Sequence, residues 1–313
     1  MVSKNKITLV APFYNEEAGV SQFFERINRV FSLGVLEKYD LEIVCVNDGS
    51  KDGTLQELLR AKSSNAYIKI LDFSRNFGKE AAITAGLDFA TGDAVIPIDA
   101  DLQHPPEVVL EMLEQWESGF EVVLARRVDR QTDSAIQKIS ARAFYELSKH
   151  ISHVEIPADV GDFRLMDRKV VDAVKSLREN CRFMKGLFAW VGFRTTVIDY
   201  NVEQREHGKS SFNTWKLWNF ALEGITSFST VPLRIWSYIG GAVSLFAFIY
   251  ALYLVVKTLI FGIDTPGYAS LMAAILFSAG IQLIGIGVLG EYIGRVFSEV
   301  KHRPAYIVRE VIE

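Results

Sequence analysis

The stretch AVIPIDADLQHPPE, Ala94–Glu107, decides how the chain is read. Its first half is an apolar run of the kind found in a strand buried on both faces. The run ends in Asp99, Asp101 and Gln103, three oxygen-bearing side chains at alternate positions. Pro105–Pro106 come next and suit the opening of a helix. Carboxylates two residues apart on an extended segment, with an amide oxygen next, make a hard-oxygen site for Mg²⁺ or Mn²⁺, usually shared with phosphate oxygens. The competing reading makes Asp101 the N-cap of the downstream helix.

Upstream, the same strand-then-polar-loop pattern recurs three times. Ile7–Ala11 precedes the cluster Tyr14–Glu17, Leu41–Val46 precedes Asn47–Thr54, and Ile68–Phe73 precedes Ser74–Lys79. Helices are expected over Glu16–Phe31, where Val20, Phe23, Phe24, Ile27, Val30 and Phe31 have helical spacing, over Gly78–Ala90, and from Pro105 to about Trp116. Asp52 or Ser50 is the candidate cap of a helix after the second strand, and Glu121–Ala125 is a further strand. Such alternation predicts an α/β domain with a mostly parallel sheet covered on both faces, and ligands bind such sheets at the carboxyl ends of the strands. All four polar clusters fall there. Asp48, at the end of the second strand, suits a hydrogen bond to a ribose hydroxyl or base edge; the alternative is an Asx-turn supporting Gly49. The chain has neither GxxxxGK[ST] nor GxGxxG, which disfavours a P-loop enzyme or a dinucleotide dehydrogenase. There is no internal repeat and no low-complexity segment.

The 313 residues are 49% hydrophobic and 23% charged, yet the mean hydropathy is positive, +0.15. Two charge-free stretches account for this: Ser237–Val256 and Tyr268–Gly290. Each is about 20 residues, enough to cross a hydrocarbon core, and the short link Lys257–Gly267 predicts an antiparallel hairpin. Two buried core helices are the alternative. Arg234 precedes the first stretch and Arg295, Lys301, Arg303 and Arg309 lie beyond the second, whereas the link holds only Lys257, offset by Asp264. The positive-inside rule then puts the large domain and the C-terminal tail on the cytoplasmic face. Gly290 and Gly294 form a GxxxG pair that makes a homo-oligomer plausible, and Gln282 suits an interhelical hydrogen bond. Between the domain and the first stretch, Phe212–Val231 sets Trp215, Leu217, Trp218, Ala221, Leu222 and Ile225 along one face. That is the composition of an interfacial helix, or of an amphipathic helix packed on the domain. Cys45 and Cys181 cannot build a disulfide framework, which fits a reducing compartment. A net charge of -4 argues against general nucleic-acid binding. No apolar leader is visible at the N-terminus, so no signal peptide is expected.

The ordered motifs APFYNEE, VNDGSKDGT, RNFGKEAAITAG, DADLQHPPE, GDFRLMDR and QREHGKSSF carry a resemblance. Together they resemble the inverting family-2 glycosyltransferases of GT-A fold, most closely the polyprenyl-phosphate hexosyltransferases, among them dolichyl-phosphate mannose synthase and the bacterial undecaprenyl-phosphate glucosyltransferases. The resemblance covers nearly the whole chain. It implies a GT-A domain over 1–211, an interfacial region over 212–232, a transmembrane hairpin over 233–294 with spans near 237–256 and 268–290, and a cytoplasmic tail over 295–313. It implies that Pro12, Tyr14, Glu16, Asp48, Asp99 and Ser210 bind a nucleotide-sugar donor. Asp101, Gln103 and Asp99 would hold Mg²⁺ or Mn²⁺. Arg126, Lys138, Ser140, His207 and Lys209 would meet acceptor phosphate. Asp99, Asp101, Asp162 and Arg205 would carry catalysis, with Arg205, Gly208 and Ser210 in a closing loop. Asp162 matches the family's usual base, but a phosphate monoester with second pKa near 6 is mostly dianionic at neutral pH and hardly needs one. The alternatives for Asp162 are to orient a sugar hydroxyl, to position Arg164, or simply to pair with it. The implied reaction moves a hexose, glucose from UDP-glucose foremost, to undecaprenyl phosphate at a bacterial plasma membrane, for cell-surface glycans such as the O-antigen of lipopolysaccharide. Mannose, galactose and 4-amino-arabinose stay open as the sugar. A processive polysaccharide synthase lacks support, since no Q-x-x-R-W motif is present, and the intact motifs speak against an inactive lipid-binding protein.

Overall fold

The structure is a computed structural model that describes residues 4–31, 33–128, 160–177, 179, 184–201, 231–261 and 267–313. The first half alternates strand and helix: β1 (Asn5–Phe13), α1 (Val20–Val30), α2 (Leu33–Lys38), β2 (Tyr39–Asn47), α3 (Thr54–Ser64), β3 (Ile68–Phe73), α4 (Lys79–Phe89), β4 (Ala94–Pro97), α5 (Val108–Glu117) and β5 (Val122–Arg127). Then come β6 (Val160–Asp167), α6 (Arg168–Ser176), α7 (Met184–Trp190), β7 (Thr195–Tyr200), the long helices α8 (Val231–Phe261) and α9 (Tyr268–Val300), and β8 (Val308–Ile312).

The eight strands form one sheet in the order β7-β5-β6-β4-β1-β2-β3-β8. β1 runs parallel to β2 and β4, β2 to β3, and β5 to β7. β6 is antiparallel to both β4 and β5, and β8 is antiparallel to β3. The expected parallel sheet is therefore present with two antiparallel additions, an α/β architecture of GT-A type. The central strands are buried on both faces, which explains their unbroken apolar runs. One core layer packs α1, α3 and α5 on the sheet through Phe13, Phe23, Ile27 and Leu58. The other packs α4, α6 and α7 through Phe73, Ile83, Val171 and Leu187. α4 lies unusually close to β1: a Cβ on Gly86 would stand 2.0 Å from Val10 Cγ1.

β1 is flanked by β2 on one side and β4 on the other, so the direction of winding reverses at β1. In open α/β sheets that reversal opens the ligand crevice. The element boundaries differ from expectation by a few residues. At α5, Pro105 and Pro106 accept from the backbone N–H groups of Val108 and Val109 in a turn, and the helix proper starts at Val108. Asp101 is not its cap, since its Oδ1 accepts from the Gln103 N–H instead. Likewise α3 has Gly53 at its N-cap, and Asp52 sits one residue earlier, accepting from the Thr54 N–H and hydroxyl.

α8 and α9 have 31 and 33 residues, about 46 and 50 Å at 1.5 Å per residue, longer than a hydrocarbon core of about 30 Å. Their apolar side chains, Phe246, Leu259, Phe277 and Leu283 among them, face outward. Among the described residues, Phe277–Val300 is long and apolar enough to cross a membrane, and α8 contributes the shorter apolar stretch Tyr238–Tyr250. The second helix thus runs beyond the expected end at residue 290, through Gly294 to Val300. The C-terminal segment is no simple tail, because residues 308–312 rejoin the central sheet. The expected interfacial helix lies outside the described residues, apart from its last position.

Candidate active site

The site is built from the loops at the carboxyl ends of β1 to β4. The first two are fastened to each other. Asn15, held at φ 54, donates its N–H to Ser50 Oγ and accepts from the Lys51 N–H through Oδ1. Glu17 accepts from the Gly53 N–H, and the Glu16 N–H donates to Thr54 Oγ1. Pro12 lies in β1 beside Val46, and Tyr14 is half exposed at the strand's end.

Asp48 is buried, and its carboxylate receives three donors from the loop between β3 and α4: the N–H groups of Phe77 (2.7 Å) and Gly78 (3.0 Å) and the amide of Asn76 (3.0 Å). Burial raises its pKa, and the two backbone bonds and Arg75 offset only part of this. Asp48 therefore acts first as a clamp that shapes the 74–78 loop. Gly49 allows the close approach: φ is +63° and a Cβ there would stand 2.4 Å from the Arg75 carbonyl carbon. Beyond this contact a polar cleft of about 510 Å³ opens, lined by Asn47, Ser50, Asp52, Ser74, Arg75 and Arg309.

The centre of the site is a lysine that the motifs alone do not single out. Lys79, the first residue of α4, reaches Asp99 at 2.6 Å and Asp162 at 3.2 Å. Burial works against its charge, but the two carboxylates outweigh burial and hold its pKa above the usual value. A cation in the first turn of a helix opposes the helix dipole, so Lys79 at that position is itself a sequence signal for a nearby anion. β6 delivers Asp162 because it inserts antiparallel beside β4. Behind Asp162, Arg164 is buried over the Phe188 ring at 4.3 Å and donates to the Gly161 carbonyl, and burial pushes its guanidinium down to about 10 against the pull of Asp162 and Glu80.

His104 closes the floor. Its ring stacks on Phe163 with centroids 5.0 Å apart and meets Tyr200 edge-on, and its Nδ1 faces Asp99 at 3.5 Å. Among the described residues that buried Nδ1 has no hydrogen-bond partner. Burial holds its pKa below the usual imidazole range despite Asp99.

Among the described residues no three His, Cys, Asp or Glu side chains stand together as a ready metal cage. The donor set nevertheless fits a hard divalent cation, because Asp99, Asp101 and the Gln103 amide share one short loop and such ions take their remaining oxygens from phosphates. Leu102, between them, is held at φ 55, a strained conformation for a branched residue. Asp99 and Asp162 share the Lys79 ammonium, and Asp101 adds a third carboxylate two residues along the same loop.

Arg126 pairs with a carboxylate of a neighbouring strand. It sits on β5 in a two-pronged pair with Asp199 of β7, at 2.7 and 2.9 Å. Lys138, Ser140, Arg205, His207, Gly208, Lys209 and Ser210 lie outside the described residues.

Residues 8–175 match the model of glycosyl transferase family 2, and residues 231–296 match that of the GtrB C-terminal hairpin. A glycosyltransferase of Synechocystis sp. is 51% identical over 98% of this chain and 95% of its own. A bactoprenol glucosyl transferase of Shigella phage SfV is 51% identical over 97% and 98%. Among solved structures, the glucosyl-3-phosphoglycerate synthase of Mycobacterium tuberculosis is 17% identical, with a TM-score of 0.48 over 71% of this chain and 78% of that one. With the family model matching more than half of the chain and relatives about half identical over nearly its whole length, the chain belongs to glycosyl transferase family 2.

Proposed function

We propose that this enzyme transfers one glucose from UDP-glucose to undecaprenyl phosphate at the cytoplasmic face of the membrane, inverting the anomeric carbon. The supporting observation is the likeness to bactoprenol glucosyl transferases, which runs through both the catalytic domain and the C-terminal hairpin. A lipid-borne acceptor phosphate stays at headgroup level, so its transferase needs an active site at the bilayer surface.

In this reading a phosphate oxygen of the acceptor attacks the anomeric carbon. The bond from that carbon to the diphosphate oxygen breaks, and UDP leaves with the electron pair. The acceptor arrives largely dianionic, so no proton need be removed. Asp162, engaged by Lys79, orients the sugar or the lysine rather than serving as a base. Asp99, Asp101 and Gln103 hold Mg²⁺ or Mn²⁺, which when bound neutralises the diphosphate leaving group. Lys79 stands within reach of the same charge. Pro12, Tyr14, Glu16, Asp48 and Ser210 receive the donor. Arg205 stabilises the departing diphosphate, and Arg126, Lys138, Ser140, His207 and Lys209 serve the acceptor phosphate. α8 and α9 form a two-span hairpin that anchors the domain.

The test is direct. Full-length protein in detergent, with UDP-glucose, Mn²⁺ or Mg²⁺ and a short polyprenyl phosphate, should yield a lipid carrying a single hexose, and Asp101→Ala should not. No glycolipid from any nucleotide sugar, or Asp101→Ala equal to wild type, would overturn the reading. A ladder of longer products would replace it with a processive synthase.

A further inference from the structure

The residues after α9 do more than trail the membrane hairpin. Val308–Ile312 form the edge strand β8 on β3, and the side chains around it grip the start of the Ser74–Gly78 loop. Both backbone groups of Ser74 are taken by the tail: its N–H donates to the Ile307 carbonyl at 3.0 Å, and its carbonyl accepts from Arg309 Nη2 at 3.0 Å. Arg309 Nη1 also meets Asp72 Oδ2 at 3.1 Å. That carboxylate is 4% exposed, and its other oxygen accepts from the Asn47 amide at 2.7 Å, at the end of β2. Tyr306 stacks on Phe73 with centroids 5.3 Å apart and donates its hydroxyl to Asp88 of α4 at 2.7 Å. Phe73 in turn meets Phe77 edge-on.

The tail thus holds the loop's entrance at Ser74 and reaches the far end of the next helix, α4. The loop between supplies the donors that close on Asp48, and α4 begins with Lys79, which bridges Asp99 and Asp162. We propose that Arg309 and Tyr306 are positioning residues for donor binding: they hold the Ser74–Gly78 loop in the shape that receives the nucleotide sugar. α9 runs into β8 within a short link, so the long helices and the Ser74–Gly78 loop are mechanically joined. The kinetic half of this inference rests on the proposed UDP-glucose reaction; the structural half does not.

The experiment compares full-length wild type with Arg309→Ala, Arg309→Lys, Tyr306→Phe and, as a control on the same strand, Glu310→Gln. A lost charge-assisted pair of this kind predicts a rise of about tenfold in the UDP-glucose KM of Arg309→Ala, with kcat within about twofold. Arg309→Lys, which keeps the charge but not the fork, should recover part of the loss, and Tyr306→Phe should show a smaller rise. Amide hydrogen exchange at Ser74–Gly78 should quicken in Arg309→Ala and stay unchanged in Glu310→Gln. Unchanged KM and unchanged exchange in Arg309→Ala would overturn the inference. So would equal loss of kcat in Arg309→Ala and Glu310→Gln without a KM effect, which is the mark of general destabilisation. Were wild type to show no UDP-glucose turnover at all, the donor assignment would fall, and the exchange measurement would still decide the role of the tail.

Discussion

Lys79 carries the most charge-sensitive contacts among the described site residues. Replacing it with Met leaves Asp99 and Asp162 facing each other without their shared cation. Loss of a preorganised charge at a reacting diphosphate typically costs about a hundredfold or more in rate. Lys79→Met is therefore expected to lower kcat/KM by at least that order, well beyond what the modest fall in unfolding midpoint from the two unshielded carboxylates would explain. Steady-state kinetics beside thermal unfolding in detergent would check both halves. Away from the site, Glu42 is a buried carboxylate that accepts from the Thr8 hydroxyl at 2.6 Å and from the Thr91 N–H and hydroxyl at 2.8 Å. Burial raises its pKa, but these bonds and Lys6 prevail and hold it below the usual carboxylate range. A carboxylate whose pKa is lowered by folding adds stability above its unfolded value, and that stability fades as pH falls through the folded value. Glu42→Gln should cost about 1–2 kcal/mol at pH 7, and the gap to wild type should narrow below about pH 4.5. A gap independent of pH would place the effect in packing rather than in charge.

At the scale of elements, α4 connects fold and site. Its Ala-rich face brings the helix against β1 and so sets where Lys79 points. Gly86→Ala would drive a methyl into Val10 and should cost about 1–3 kcal/mol, the usual range for overpacking. Val10→Ala in the same chain should restore part of that loss, because it removes the methyl groups the new Cβ meets. Additive destabilisation in the double variant, read from denaturant midpoints, would show that the two positions do not couple. The strands β1 to β5 are legible in the sequence because each is a short apolar run, and the first four end in their own polar clusters; such signals are local. Asp99, Asp101 and Asp48 can be placed at strand ends on that basis alone. The meeting of residues 79, 99 and 162 cannot, since it depends on β6 entering antiparallel between β4 and β5, far from its sequence neighbours. β8 is hidden for a related reason. VREVI is short and does not alternate polar with apolar, so it carries no strand period, and only the return of the chain to β3 gives it a partner.

For the whole molecule, the pairing of β8 with β3 constrains the membrane topology. β7 ends at Tyr200 and β8 begins at Val308, and both belong to one sheet. Any segment between them that enters the bilayer must come back to the same side, so the chain crosses an even number of times. A single crossing by α9 would strand β8 on the far side. The proposed hairpin of α8 and α9 meets this requirement, and the tail charges Arg295, Lys301, Arg303 and Arg309 favour the same face as the catalytic domain. The resulting expectation concerns two introduced cysteines in a chain lacking Cys181, where the remaining Cys45 is buried. In right-side-out vesicles, an impermeant maleimide should label Thr265→Cys, in the link between α8 and α9, without permeabilisation. Glu313→Cys, at the end of the tail, should be labelled only after the membrane is opened. If both were labelled only after opening, the helices would lie along the inner face instead of crossing. Labelling of Glu313→Cys in sealed vesicles would be incompatible with β8 completing a sheet on the cytoplasmic side.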